Sequence, residues 1–201
     1  MQLFSTEKDF AAFEEVLQET LECRPMRLCA YCLMPNHWHL LLWPEADGDL
    51  AAFMQRLTVT HAARWQQFRH RSGQGHVYQG RFKSFPIQTD EYFYHAVRYV
   101  ERNATAASLV DLPDAWRWSS LWRFVHGSEK ERSILSPWPV ARPDNWLAEV
   151  RREPEPSELA ALRECTDRGR PYGETDWVET TCNQLGLKST MRPRGRPGKF
   201  K

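Results

Sequence analysis

The stretch Tyr31-Cys32-Leu33-Met34-Pro35-Asn36-His37-Trp38-His39-Leu40-Leu41 decides how the chain is read. Two apolar runs, Arg27 to Met34 and His37 to Trp43, flank a Pro35-Asn36 pair of turn residues, so the segment predicts a tight β-hairpin. Side chains alternate along a strand, which puts His37 and His39 on one face and Trp38 on the other. Two neutral imidazoles side by side can chelate one divalent cation and leave positions open for water or a phosphate oxygen. Packing or a surface hydrogen bond also explains many His-x-His pairs. Here the pair runs directly into Leu40-Leu41-Leu42, and two polar rings at the end of a core-like strand cost free energy unless they have a role. Cys29 and Cys32 share the first strand at an odd separation, so their thiols point to opposite faces and read as buried structural cysteines.

Outward from the hairpin, Phe10, Phe13, Val16, Leu17 and Leu21 recur at helical spacing, predicting a helix from Asp9 to Cys23 that Arg24-Pro25 ends. Asp49 to Phe68 predicts a second helix, with Leu50, Phe53, Met54, Leu57 and Ala62 on its apolar side. Arg71 to Gly75 reads as a loop. Val77 to Ile87 alternates like a strand interrupted at Gly80 and ending at Pro86 near a sheet edge. Asp90 can cap a helix from Glu91 to about Arg102. Helix, hairpin, helix, strand, helix is most of a ferredoxin-like α+β sandwich, an antiparallel sheet with helices on one face; the element missing is a first strand before the first helix.

The Tyr92 to Asn103 segment carries the candidate nucleophile. Tyr99 and Asn103 are four residues apart and share a helix face, where the Asn103 carbonyl oxygen can serve as a third metal ligand beside the tyrosine. His95 lies on the same stripe as an alternative ligand or base, and Tyr99 packing beside a core stripe of Tyr92, Phe93, Val97 and Val100 is the plainer reading. Beyond Trp122 the prolines at 137, 139, 143, 154 and 156 punctuate a linker-like region. Two short helices follow, Ser157 to Cys165 and Glu174 to Leu185, and then a basic tail. The expected organisation is therefore a domain over 1–126, a Pro-rich linker over 127–156, a helical module over 157–187 and a tail over 188–201.

Charge and composition narrow the partners. The 201 residues are 41% hydrophobic and 26% charged, ordinary for a globular protein, with a net charge of +1. The basic residues Arg56, Arg64, Arg69, Arg71, Arg81, Lys83 and Arg98 meet only Asp90 and Glu91 between positions 51 and 100, which suggests a local phosphate-binding surface. Five cysteines, no signal-like start and no apolar run near the roughly 20 residues of a membrane span make a cytoplasmic protein the expectation, with no membrane partner. Pro193-Arg194-Gly195-Arg196-Pro197 is the core of an AT-hook, in which Arg194 and Arg196 would enter a narrow minor groove; non-specific phosphate attraction is the alternative.

With these residues in view, the hairpin motif resembles the signature of REP-associated tyrosine transposases, members of the HUH single-strand transposase superfamily. Gln79-Gly80-Arg81-Phe82-Lys83-Ser84-Phe85, Arg98-Tyr99-Val100-Glu101-Arg102-Asn103 and Trp116-Arg117-Trp118-Ser119-Ser120 follow in that family's order, so the resemblance covers roughly residues 2 to 125. It implies a ferredoxin-like HUH domain, His37, His39 and Asn103 as ligands of Mg²⁺ or Mn²⁺, and Tyr99 as nucleophile. It further implies single-stranded, palindrome-associated DNA as substrate and a 5′-phosphotyrosine intermediate. Gln79, Arg81 and Lys83 suit a DNA backbone, and the active site is completed within one chain or between two in a homodimer. Two departures stand out. Ala104-Thr105-Ala106-Ala107-Ser108 replaces the usual proline and glycine, and the strand that opens relatives is missing, pointing first to a start further upstream or a decayed copy, and after these to a replacement strand from elsewhere. Two other functions compete: a non-catalytic DNA-binding protein derived from such a transposase, and a hydrolase whose metal activates water.

Overall fold

The computed structural model describes residues 2–70 and 75–192. Helix α1 (Glu7–Cys23) begins at a capping box. Thr6 accepts from the Asp9 amide at 3.4 Å, and the Asp9 carboxylate takes the Ser5 and Thr6 amides at 2.7 and 2.9 Å. The helix buries Phe10, Phe13, Val16 and Leu17, four of the five residues its periodicity singled out, and leaves Leu21 partly buried. Strands β1 (Arg27–Met34) and β2 (His37–Trp43) pair antiparallel from Met34↔His37 to Arg27↔Trp43, with an irregularity between Leu28 and Ala30. Helix α2 (Asp49–Phe68) buries Phe53, Met54, Leu57, His61 and Trp65.

The register sorts the hairpin into two faces. Tyr31, Leu33, Trp38 and Leu40 join the core with Phe4, Phe13 and Leu17 of the N-terminal region and Phe53 and Leu57 of α2. Ala30, Cys32, Met34, His37, His39 and Leu41 occupy the opposite face. Phe13 meets Trp38 at 5.7 Å between ring centroids, so α1 covers the first face. The second face meets helix α3 (Glu91–Glu101) at Tyr99, 5.8 Å from His39, and lies against helix α4 (Asn103–Ala106) near Cys32.

The expected strand over 77–87 does not form: among the described residues the sheet has two strands, and this stretch contributes only an isolated bridge from Ile87 to Tyr172. Gly80 at φ +109° breaks the extended run, and Pro86 has no N–H to give a ladder. The second edge of β1 is taken by other segments. Leu33 N donates to Trp118 O at 2.9 Å, Tyr31 N to Ser120 Oγ at 3.1 Å, and Ser136 N to Leu28 O at 2.8 Å. Indole N–H groups of Trp116 and Trp138 complete the edge on the carbonyls of Leu33 (2.8 Å) and Cys29 (2.9 Å).

The stretch 127–156, read above as a linker, thus holds a partner of β1, together with helices α6 (Glu129–Arg132) and α7 (Trp146–Arg151). They follow helix α5 (Ser120–His126), whose cap Ser119 accepts from the Trp122 amide at 3.2 Å. By contacts the chain divides into Met1–Phe82 with Val97–Glu153, and Lys83–Ala96 with Pro154–Lys201. The second unit contains helix α8 (Pro156–Arg168), closed by Gly169 at φ +68°, and helix α9 (Thr175–Gln184). Among the described residues no helix is long and apolar enough to cross a membrane.

Asp9 ties the chain before α1 to α2, since Arg69 Nη2 lies 2.9 Å from its carboxylate. Burial alone would raise its pKa, but the Ser5 and Thr6 amides and Arg69 together hold it below the ordinary carboxylate value. Its stabilisation is therefore complete above that ordinary value and is lost as the pH falls through the lower folded one. Asp9→Asn is expected to cost about 1–2 kcal/mol at pH 7 and to flatten the acid limb of stability. Urea unfolding across the acid range checks this; an unchanged midpoint at pH 7 contradicts it.

Candidate active site

β2 presents the two histidines because its alternation and its register with β1 leave no other choice: His39 stands opposite Cys32 and His37 opposite Met34. The His37 and His39 rings are 4.9 Å apart between centroids and nearly perpendicular, at 86°. His37 is exposed at the strand end and His39 half-buried. Burial pushes the pKa of His37 down, and burial followed by the neighbouring His37 pushes that of His39 down to about 4. Both rings are therefore held neutral, the form that has a lone pair to give to a cation.

Asn36, in the turn, sets which nitrogen of His37 keeps that lone pair. Its Oδ1 lies 2.7 Å from His37 Nδ1, and an amide oxygen only accepts, so Nδ1 bears the proton and Nε2 is the open position. The Pro-Asn dipeptide was read only for its turn propensity; the signal for this second role was its adjacency to His37.

Tyr99 is half-buried on α3, with its ring 5.8 Å from that of His39 and at 84° to it. One turn later the helix is interrupted at Arg102, and α4 begins at Asn103. Asn103 Nδ2 donates to the Tyr99 carbonyl at 2.8 Å, which commits the amide nitrogen and leaves Oδ1 as the atom able to face a cation. Four predicted residues, His37, His39, Tyr99 and Asn103, are linked in one chain of contacts.

Other predicted residues fall elsewhere. His95 sits in the second unit, with Nδ1 3.3 Å from the Tyr172 hydroxyl and Nε2 4.0 Å from Glu158. Gln79 and Arg81 are exposed in an irregular segment, whereas Lys83 pairs with Asp167 at 3.1 Å within the second unit. Arg194 and Arg196, with the AT-hook-like core, lie outside the described residues. Cys29 and Cys32 are buried free thiols, their pKa values raised by burial to about 11 and about 12. Thiols so protonated are poor metal ligands or redox groups.

Among the described residues no group of three or more His, Cys, Asp or Glu side chains could hold a metal ion. A cation at this site would thus take two imidazole nitrogens and an amide oxygen. That donor set fits a divalent ion accepting both nitrogen and oxygen, Mn²⁺ more readily than Mg²⁺.

A model of the family described as "Transposase IS200 like" matches residues 2–103, half of the chain and all four residues above. The chain belongs to the IS200-like transposase family. This transposase is 26% identical over 121 residues to the Haemophilus influenzae protein named "Putative REP-associated tyrosine transposase", covering 56% of this chain and 69% of the relative. No solved structure matches it. As a transposase it has DNA as its partner.

The Asn36 contact gives the transposase a measurable signature. Histidine tautomers read by nitrogen NMR are expected to show His37 protonated on Nδ1 in the wild type. In Asn36→Ala, His37 is expected to shift toward the Nε2-protonated form, with His39 unchanged; an Nε2-protonated His37 in the wild type contradicts the assignment.

Proposed function

We propose that this transposase cleaves and rejoins single-stranded DNA at palindromic hairpins, with Tyr99 as nucleophile and a divalent metal, Mn²⁺ or Mg²⁺, held by His37, His39 and Asn103. The observation that carries the reading is the contact chain from His37 through His39 to Tyr99, in which burial keeps the His39 imidazole neutral. When bound, the metal draws negative charge from the scissile phosphate and lowers the barrier to attack.

The remaining chemistry belongs to the chain. His37 offers Nε2 because Asn36 occupies Nδ1, and Asn103 offers Oδ1 because its nitrogen is committed to the Tyr99 carbonyl. Tyr99 Oη loses its proton and attacks phosphorus; an Oη–P bond forms, the P–O3′ bond breaks, and the departing oxygen takes up a proton as a 3′-hydroxyl. One phosphoester replaces another, so a second 3′-hydroxyl can reverse the step and join a new strand without a nucleotide cofactor. Exposed Gln79 and Arg81, with Phe82 beside them, suit the grip on a single strand through phosphate contacts and base stacking.

The test is incubation with Mn²⁺ and an end-labelled single-stranded hairpin, read as a covalent protein–DNA band on a denaturing gel. The wild type is expected to form the band and Tyr99→Phe to form none while binding the hairpin normally. His39→Ala is expected to weaken Mn²⁺ binding by at least about 10–100-fold. A band that persists in Tyr99→Phe removes the nucleophile assignment, and binding with no band in the wild type favours a DNA-binding protein without cleavage.

A further inference from the structure

The helical turn bearing Tyr99 has a second face. Arg98, Glu101 and Arg102 stand at positions i, i+3 and i+4 and form one stripe, about a third of a turn round from Tyr99 and Asn103. Each meets α7. Arg98 Nη1 lies 4.0 Å from Glu149 Oε2. Arg102 Nη1 donates to the Val150 and Arg151 carbonyls at 2.7 and 2.9 Å, the end of α7 where helix carbonyls lack intrahelical partners and favour a cation.

Glu101 is only 1% exposed, and both of its oxygens are engaged. Oε2 accepts from Trp146 Nε1 at 2.9 Å, and Oε1 accepts from Ser120 Oγ at 2.8 Å. Ser120 Oγ in turn accepts from Tyr31 N at 3.1 Å, which carries the connection to β1 and so to the hairpin that bears the histidines. A carboxylate buried this deeply gains little net stability over an apolar residue of similar volume. What it supplies is direction: two donors from separate segments fix where this turn of helix lies.

We propose that α7 is a splint for the catalytic helix: by holding Glu101 through Trp146 and Arg102 through the Val150 and Arg151 carbonyls, it fixes the turn that carries Tyr99 and Asn103 at the distance from His39 that attack requires. Trp146, Arg102 and Glu101 are positioning residues that act through the turn carrying Tyr99. The inference rests on the reading of Tyr99 as nucleophile. It assigns to residues 146–151, outside the stretch matched by the family model, a role in the reaction.

The test uses the full-length protein and three variants. Trp146→Phe removes the donor to Glu101 while keeping an aromatic ring, Arg102→Ala removes both carbonyl contacts, and Arg102→Lys restores a donor. With saturating hairpin and Mn²⁺, the single-turnover rate constant for the covalent band is expected to fall on the order of 10²-fold in Trp146→Phe and Arg102→Ala, with hairpin affinity held within about twofold. Arg102→Lys recovers most of the rate.

A 3-fluorotyrosine at position 99 reports ring placement without any chemistry. It is expected to give one narrow ¹⁹F resonance in the wild type and a broadened or doubled one in Trp146→Phe and Arg102→Ala. An unchanged resonance, an unchanged rate constant, or a rate lost only in proportion to hairpin affinity overturns the splint. A wild type that forms no covalent band defeats the nucleophile reading alone, and the fluorine resonance still decides whether α7 holds Tyr99 in place.

Discussion

Strand β1 is buried on both faces from Leu28 onward, yet among the described residues it has a partner strand along one edge only, so the peptide groups of its other edge must be satisfied by something else. Each such group left unpaired in the interior would cost about 1–3 kcal/mol, a large fraction of the stability of a domain this size. The solution recruits residues 83 to 109 positions away: Trp116, Trp118 and Ser120 at one end of the strand, Ser136 and Trp138 at the other. Mixed partners of this kind, backbone, hydroxyl and indole, replace a regular ladder. Their consequence reaches past β1. The segment that closes the edge also contains the hydroxyl that holds Glu101, so meeting the backbone's demand and placing the tyrosine helix are one act of packing.

Elements governed by local chemistry were legible in the sequence. α1 and α2 follow from apolar periodicity, and the hairpin from two apolar runs about Pro35-Asn36; strand alternation alone placed His37 and His39 together. The expectation that this face meets Tyr99 came from the family resemblance and not from spacing, because a contact between residues 39 and 99 leaves no periodic trace. The strand expected over 77–87 illustrates the opposite error. Its alternation is real, but a strand forms only where an edge awaits it, and a positive-φ glycine and a proline weaken the claim further.

The proline-punctuated stretch 127–156 was the least legible part. Proline density suggests a linker when helix interruption is the only consideration, and α6 and α7 are four and six residues long, too short for periodicity to announce them. Their anchoring comes from side chains whose partners are remote: Trp146 on Glu101, Arg151 on Asp114 at 2.8 Å, and Arg117 on Glu131 at 3.0 Å. Tryptophan in a supposed linker was the available clue, since an indole finds both an apolar bed and an acceptor when it is buried.

A second buried polar cluster shows why such bonds persist in a core that could be apolar. Tyr31 donates to Glu14 Oε1 at 2.6 Å, Arg123 Nη2 bonds Glu14 Oε2 at 2.7 Å, and Arg123 Nε donates to the Tyr31 hydroxyl. Burial, with the Glu14 carboxylate adding to it, pushes the Tyr31 pKa well above its ordinary value, so the phenol remains a donor. Replacing such a triad wholesale with apolar residues is often neutral, whereas removing one member leaves a buried charge uncompensated at a cost of about 3–5 kcal/mol. The triad therefore does little for stability and much for selectivity, because α5 can dock on α1 and β1 in only the orientation that satisfies all three groups. A site assembled from a hairpin near residue 37 and a helix near residue 99 needs that kind of restriction. Apolar contact would tolerate a sliding helix, and the attack proposed for Tyr99 would not.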